Sequence, residues 1–181
     1  MIKKKVDKIS SKSLILFLIV SILGTSFLIG CDIEKEENLI DKLYKNKTEY
    51  VGDNSKVGNI ISNLKFEKGY EYKSMKISSD EKPYSLILNF ELSQKEDLTT
   101  DKITSQSAIL FSLIDNLDEI VYVPVNSNAE GILPVDRNYI DSFTTSVIGM
   151  TTKELGKSKG KFKELVEFYE EYIRKDKVLI P

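Results

Sequence analysis

The sequence predicts an α+β domain, a small antiparallel or mixed sheet with helices packed on it, in the order helix, strand, helix, hairpin, helix, strand, helices. Three observations predict it. From Tyr84 to Leu92 every even position is apolar and three of the four odd ones are polar, the period of a strand with one buried face. Val57, Ile60, Ile61 and Leu64, and again Phe162, Leu165, Val166, Tyr169 and Ile173, recur at helical spacing and form single apolar stripes. Between these lies Ile120–Val125, a strongly β-prone run. Adjacent strands joined by a hairpin, with helices able to cover one face, make an α+β layer.

Taken in order, Leu39, Ile40, Leu43 and Tyr44 mark a short first helix. A short strand is expected around Tyr50, then a turn at Gly52 and a helix capped by Asp53, Asn54 or Ser55. Met75 and Ile77 precede the alternating strand across the polar segment Ser79–Lys82, which has hairpin length. Pro83 at the start of that strand points to a sheet edge, where a missing N–H is tolerated. Thr99 to Leu117 reads as a helix with Ile103, Leu110, Ile114 and Leu117 on one face. After Ile120–Val125, a polar turn from Asn126 to Gly131 leads to Ile132–Val135. Asp136 is placed to cap a helix through Tyr139, Ile140 and Phe143, and Ser158 to cap the last one, Lys159 to Arg174.

Composition excludes several chemistries. Histidine is absent, which removes imidazole bases and histidine metal ligands, and Cys31 is the only cysteine, which removes disulfides within the chain, CxxC pairs and thiolate zinc sites. No cofactor and no metal site is expected. Residues 1–30 carry five lysines and one acid, so the totals of 26 basic and 28 acidic groups leave 21 and 27 for the other 151 residues. That acidic remainder, whose only arginines are Arg137 and Arg174, is not expected to bind nucleic acid.

The basic residues 1–13 are followed by an uncharged apolar run, Leu14–Gly30, that stops at Cys31. This is the grammar of an export signal. Its end, Leu28-Ile29-Gly30-Cys31, resembles a bacterial lipobox, with Ile29 in place of the commoner small residue. The resemblance implies cleavage between Gly30 and Cys31 and diacylglyceryl transfer to the Cys31 thiol. Two other readings of the run are an uncleaved membrane anchor, for which 17 residues just suffice, and a secretory peptide cut elsewhere. The lipobox reading divides the chain into a signal peptide (1–30), a charged tether (31–38) and one α+β domain (39–181), held outside the cytoplasmic membrane by lipid.

Motifs for catalysis are weak. Gly149–Ser158 ends like a phosphate-binding loop but has six residues between its glycines where the loop needs four, and is expected to be a flexible link. Asp53–Gly58 resembles the start of a calcium loop, yet Val57 and Leu64 stand where oxygen ligands are required. Tyrosines 44, 50, 70, 72 and 84 fit either half-buried sheet positions or a binding groove. Gly52, Asp53, Asn54 and Ser55 are the remaining candidate binding residues: Gly52 for a turn with positive φ, the other three as helix caps beside backbone N–H groups able to hold an anion. No catalytic residue is assigned.

Tyr50–Ile61, Glu81–Leu86 and Leu110–Ile120, in that order, resemble domain-of-unknown-function family 4825, found in lipoproteins of low-GC Gram-positive bacteria and behind membrane metallopeptidases of the antibiotic-sensor type. The likeness covers roughly residues 45–145 and is most specific in its first segment. It implies an extracytoplasmic domain with a sensing role and carries over no catalytic residue. The functional expectation is therefore a noncatalytic sensing or binding module at the cell envelope, facing a membrane protein or a cell-wall component. The alternatives are an envelope hydrolase using Ser/Lys or carboxylate chemistry, and an accessory subunit of a membrane complex.

Overall fold

The computed structural model describes residues 38–93, 98–126 and 133–176, with side chains as far as residue 171; all of them lie in one compact unit, Glu37–Pro181. Gly30, Cys31 and the tether up to residue 37 lie outside the described residues.

The first helix, α1 (Leu39–Tyr44), begins where the Asn38 side chain accepts from Asp41 N, and it buries Leu43. In α2 (Asn54–Asn63) the three capping candidates resolve to Asp53, whose carboxylate accepts from Lys56 N at 3.1 Å. Val57, Ile60, Ile61 and, one residue past the helix, Leu64 are all buried. The expected strand around Tyr50 does not form. Its one ladder contact is an isolated parallel bridge between Thr48 and Ile114, and Val51-Gly52 is a turn.

Strands β1 (Tyr70–Ser78) and β2 (Ser85–Leu92) make the expected hairpin, with an irregularity in register between Tyr72 and Ser74. Helix α3 (Thr100–Leu113) crosses over to β3 (Glu119–Pro124), which pairs parallel with β2, and β4 (Leu133–Asp136) closes the mixed sheet antiparallel to β3. Strand order in space follows order in the chain, so β2 is an inner strand rather than an edge. Pro83 gives no edge signal because it precedes Ser85, the first residue of the ladder, so its missing N–H costs no strand bond. Leu86, Leu88, Phe90 and Leu92 point into the core as their alternation predicts. Phe90 gathers Phe66 and Tyr122 at ring centroid distances of 4.8 and 5.9 Å, with Tyr70 and Tyr72 beside them.

Helix α3 is shorter than its apolar spacing predicts. It ends at Leu113 because Ile114 takes an extended conformation to bridge Thr48, although Ile114 and Leu117 are still fully buried. From Ile103 to Leu113 almost every side chain is covered, the hydroxyls of Ser107 and Ser112 included. Those two hydroxyls donate to carbonyls one turn back, which satisfies them without breaking the helix. The Tyr122 hydroxyl lies 2.8 Å from the Ser107 Oγ, and burial pushes its pKa above the ordinary tyrosine range, with the Ser107 bond opposing.

Helix α4 (Arg137–Ile148) starts under an Asp136 cap and ends at Gly149 in the left-handed region, φ 82°. The segment expected to be a flexible link is instead a capped single turn, α5 (Thr152–Leu155), in which Thr151 and Glu154 form a reciprocal capping box. A Cβ built on Gly156 would lie 1.9 Å from the Ser112 carbonyl oxygen, so glycine is what lets the end of α5 rest on the α3 backbone. Helix α6 (Lys159–Asp176) has the expected Ser158 cap and buries Phe162, Leu165, Val166 and Tyr169; the Ile173 side chain lies outside the described residues. Among the described residues, no helix is long and apolar enough to cross a membrane.

Candidate functional site

Five tyrosines fit either packing or binding, and the structure separates them. Tyr70 is buried; Tyr44, Tyr72 and Tyr84 are half-buried, Tyr44 against Phe162 and Tyr72 against Phe90. Tyr50 stands apart, with 65% of its surface exposed.

Its exposure is held in place from below. Thr48 N donates to Leu113 O and Asp115 N donates to Thr48 O, which ties Thr48, two residues before Tyr50, to the end of α3. Val51, fully buried on the other side, donates its N–H to the Asn116 side chain at 2.6 Å. Tyr50 N itself donates to the Thr48 hydroxyl at 3.3 Å, so the backbone on either side of the exposed pair Glu49-Tyr50 is tied to the domain. Lys47 forms an ion pair with Asp115, adding a tie between the same two segments.

Tyr50 borders a solvent-open groove of about 520 Å³ at the end of the sheet where β2 and β3 begin. Glu49 lies along it, as do Asp115, Asn116 and Asp118 of the loop between α3 and β3. Lys82 comes from the β1–β2 hairpin, Arg137 from the start of α4 and Lys153 from α5. A second open cavity of about 440 Å³ shares Glu49, Tyr50 and Asp115, and adds Lys47, Asp53 and Lys56.

Arg137 looks like a ligand-binding cation until its bonds are followed. Nε donates to Leu117 O, one Nη to Phe111 O and Thr152 Oγ1, and the other to Ile114 O and, at 3.4 Å, to Asp115 O. All five N–H groups of a guanidinium are thereby directed at the protein. Arg137 caps the C-terminus of α3, where a cation also meets the negative end of the helix dipole, and it lies over the Phe111 ring. Burial pulls its pKa down from the ordinary value, and the charges of Asp141, Asp118 and Asp115 oppose that. It builds the floor of the groove and leaves no N–H for a ligand.

The carboxylates divide in the same way. Asp115 is paired with Lys47, and Asp118 accepts from Tyr84 N at 2.9 Å, which fixes the hairpin end to the loop. Glu49 and Lys153 have no ion-pair or hydrogen-bond partner among the described residues, and Lys82 meets only the face of the Tyr84 ring, 5.7 Å from its centroid. Asp118 keeps its charge and faces that of Arg137, so the groove charges without an opposite charge beside them are those of Glu49, Lys82 and Lys153.

Of the four residues singled out from sequence, only Asp53 reaches this region, at the margin of the second cavity and engaged as the cap of α2. Asn54 and Ser55 are exposed on the first turn of α2 and line neither cavity. Gly52 does not adopt positive φ; among the described residues only Gly69 and Gly149 do, so the reason given for a glycine at 52 falls away. No group of three or more Asp, Glu, His or Cys side chains is placed to hold a metal ion among the described residues.

Fold and groove together define a small α+β domain with a polar cleft at one end of a mixed sheet. Residues 43–134, half of the 181-residue chain, match the family described as Domain of unknown function (DUF4825), and the chain belongs to that family. The matched region holds Glu49, Tyr50, Lys82 and the loop 115–118, whereas Arg137 and Lys153 come from beyond it. No curated protein and no solved structure matches the chain.

Proposed function

We propose that this chain is a lipid-anchored, extracytoplasmic module without catalytic action, and that it binds a cell-wall component or a membrane partner through the groove at Tyr50. The observation that carries the binding reading is an exposed aromatic ring on a tied backbone, beside Glu49, Lys82 and Lys153, which form no ion pair among the described residues. An aromatic presented on a fixed backbone loses little entropy on contact, which is why tyrosine is favoured in recognition surfaces. Anchoring is supported by the apolar run that ends in Leu28-Ile29-Gly30-Cys31, with the chain's only cysteine at the position such chemistry needs. Two acyl chains at about 0.8 kcal/mol per buried CH₂ hold a protein stably on a membrane.

Metabolic labelling with a fatty acid analogue tests the anchor. The wild-type chain should take up label and partition with membranes, and Cys31→Ser should do neither. Label retained by Cys31→Ser, or a native mass that still includes Met1, would remove the anchored reading.

A further inference from the structure

We infer that the ligand of the groove is dipolar: a short peptide that brings a carboxylate to Lys82 and Lys153 and an ammonium group to Glu49. This rests on the groove being a binding surface, as proposed above.

The argument is one of remaining charges. Arg137 has all its N–H groups occupied and its charge is opposed by that of Asp118, whose carboxylate also accepts from Tyr84 N, and Asp115 is neutralised by Lys47. What stays available along the cleft is Glu49 with no partner among the described residues, Lys153 likewise, and Lys82 on a ring face. A purely anionic ligand would bring its charge against Glu49, and a purely cationic one would bring its charge against two lysines. A molecule with both charges meets both, which is the complementarity that selects a partner in a polar site.

Size and shape agree with a peptide of a few residues. The cleft of about 520 Å³ falls within the ~300–1,000 Å³ common to small-molecule sites. The Tyr50 ring supplies an apolar wall for a small side chain, with a hydroxyl at its tip. Asn116, which holds Val51 through its side-chain oxygen, has its amide NH₂ left to donate to a peptide carbonyl.

The test is a titration of the full chain in detergent micelles, followed by amide NMR shifts, with trialanine, its N-acetyl form, its C-terminal amide and inorganic phosphate. Trialanine should move the amides of Tyr50, Asn116 and Lys153. Blocking either end should weaken binding about 2- to 5-fold, the worth of one exposed ion contact. Glu49→Gln should erase the difference between the free and acetylated peptides, and Lys82→Ala with Lys153→Ala the difference between the free acid and the amide. Equal binding of free and blocked peptides, equal response to phosphate, or no response to any peptide would overturn the inference. A photo-crosslinker at position 50 in living cells separates the two levels. An adduct there, with trialanine silent, leaves the groove a binding surface for another ligand; no adduct and no shift removes both readings.

Discussion

Replacing Arg137 by methionine keeps most of the side-chain volume and removes every N–H that closes the end of α3. Three main-chain carbonyls, those of Phe111, Ile114 and Leu117, then lose donors at 2.8–2.9 Å, and Thr152 loses one at 3.1 Å. A buried polar group left unsatisfied costs roughly 1–3 kcal/mol, but these costs do not add in full, because water can enter from the groove and the guanidinium no longer has to be desolvated. The loss of contact with the Phe111 ring adds about 0.5–1 kcal/mol. The expected destabilisation is about 3–5 kcal/mol, a large share of the ~5–15 kcal/mol of an ordinary domain. Arg137→Lys keeps the charge but cannot span five separate acceptors, so about 2–3 kcal/mol should still be lost. Urea unfolding followed by far-ultraviolet circular dichroism gives both numbers. If Arg137→Met stays within about 1 kcal/mol of wild type with an unchanged denaturant slope, the guanidinium is not what closes α3. If Arg137→Lys recovers nearly everything, charge matters and the fork of hydrogen bonds does not.

Two further substitutions probe other contacts of α3. Gly156→Ala drives a methyl group into the Ser112 carbonyl oxygen, a backbone clash that a flexible side chain cannot relieve, so thermal melting should show about 1–3 kcal/mol of destabilisation; a neutral result would mean that α5 does not rest on α3. The Tyr122 hydroxyl is held protonated by burial, so its folded pKa lies above the unfolded value near 10 and the stability it contributes is lost as pH rises past that value. Between pH 9 and pH 11 wild type should therefore lose about 1.4 kcal/mol more than Tyr122→Phe, and parallel declines in denaturant titrations at the two pH values would contradict the buried position.

Reading the sequence works where one physical signal dominates. Alternation exposes β2 because its two faces meet different surroundings, and the stripes of α2 and α6 are evident because each helix covers the core with one side only. It fails where long-range contacts decide. Ile114 continues the apolar spacing of α3, yet its backbone leaves the helix to bridge Thr48, 66 positions earlier, which local pattern cannot reveal. Residues 151–156 look like a link because glycines and threonines usually are one; their capping box was readable as Thr-x-x-Glu, but the tight approach of Gly156 to Ser112 was not. The groove was the least accessible. Its residues come from five separate segments and share no spacing, whereas the helix-capping signal of Gly52–Ser55 is local and stands out in the sequence. One hint was present, the scarcity of arginine: in a chain with 24 lysines, Arg137 occupies a place where a planar fork of donors is required.

Tyr50 and Tyr139 make the most direct test, because both rings are exposed, at 65% and 52%, and only the first lies on the groove. A photo-crosslinking amino acid placed at each position in turn, in cells carrying the full chain, asks where the molecule makes contact. Position 50 should give a discrete adduct that disappears when Lys82 and Lys153 are replaced by alanine, and position 139 should give none. Equal adducts from both positions, or an adduct at 50 that survives the loss of both lysines, would contradict a binding site built at this end of the sheet.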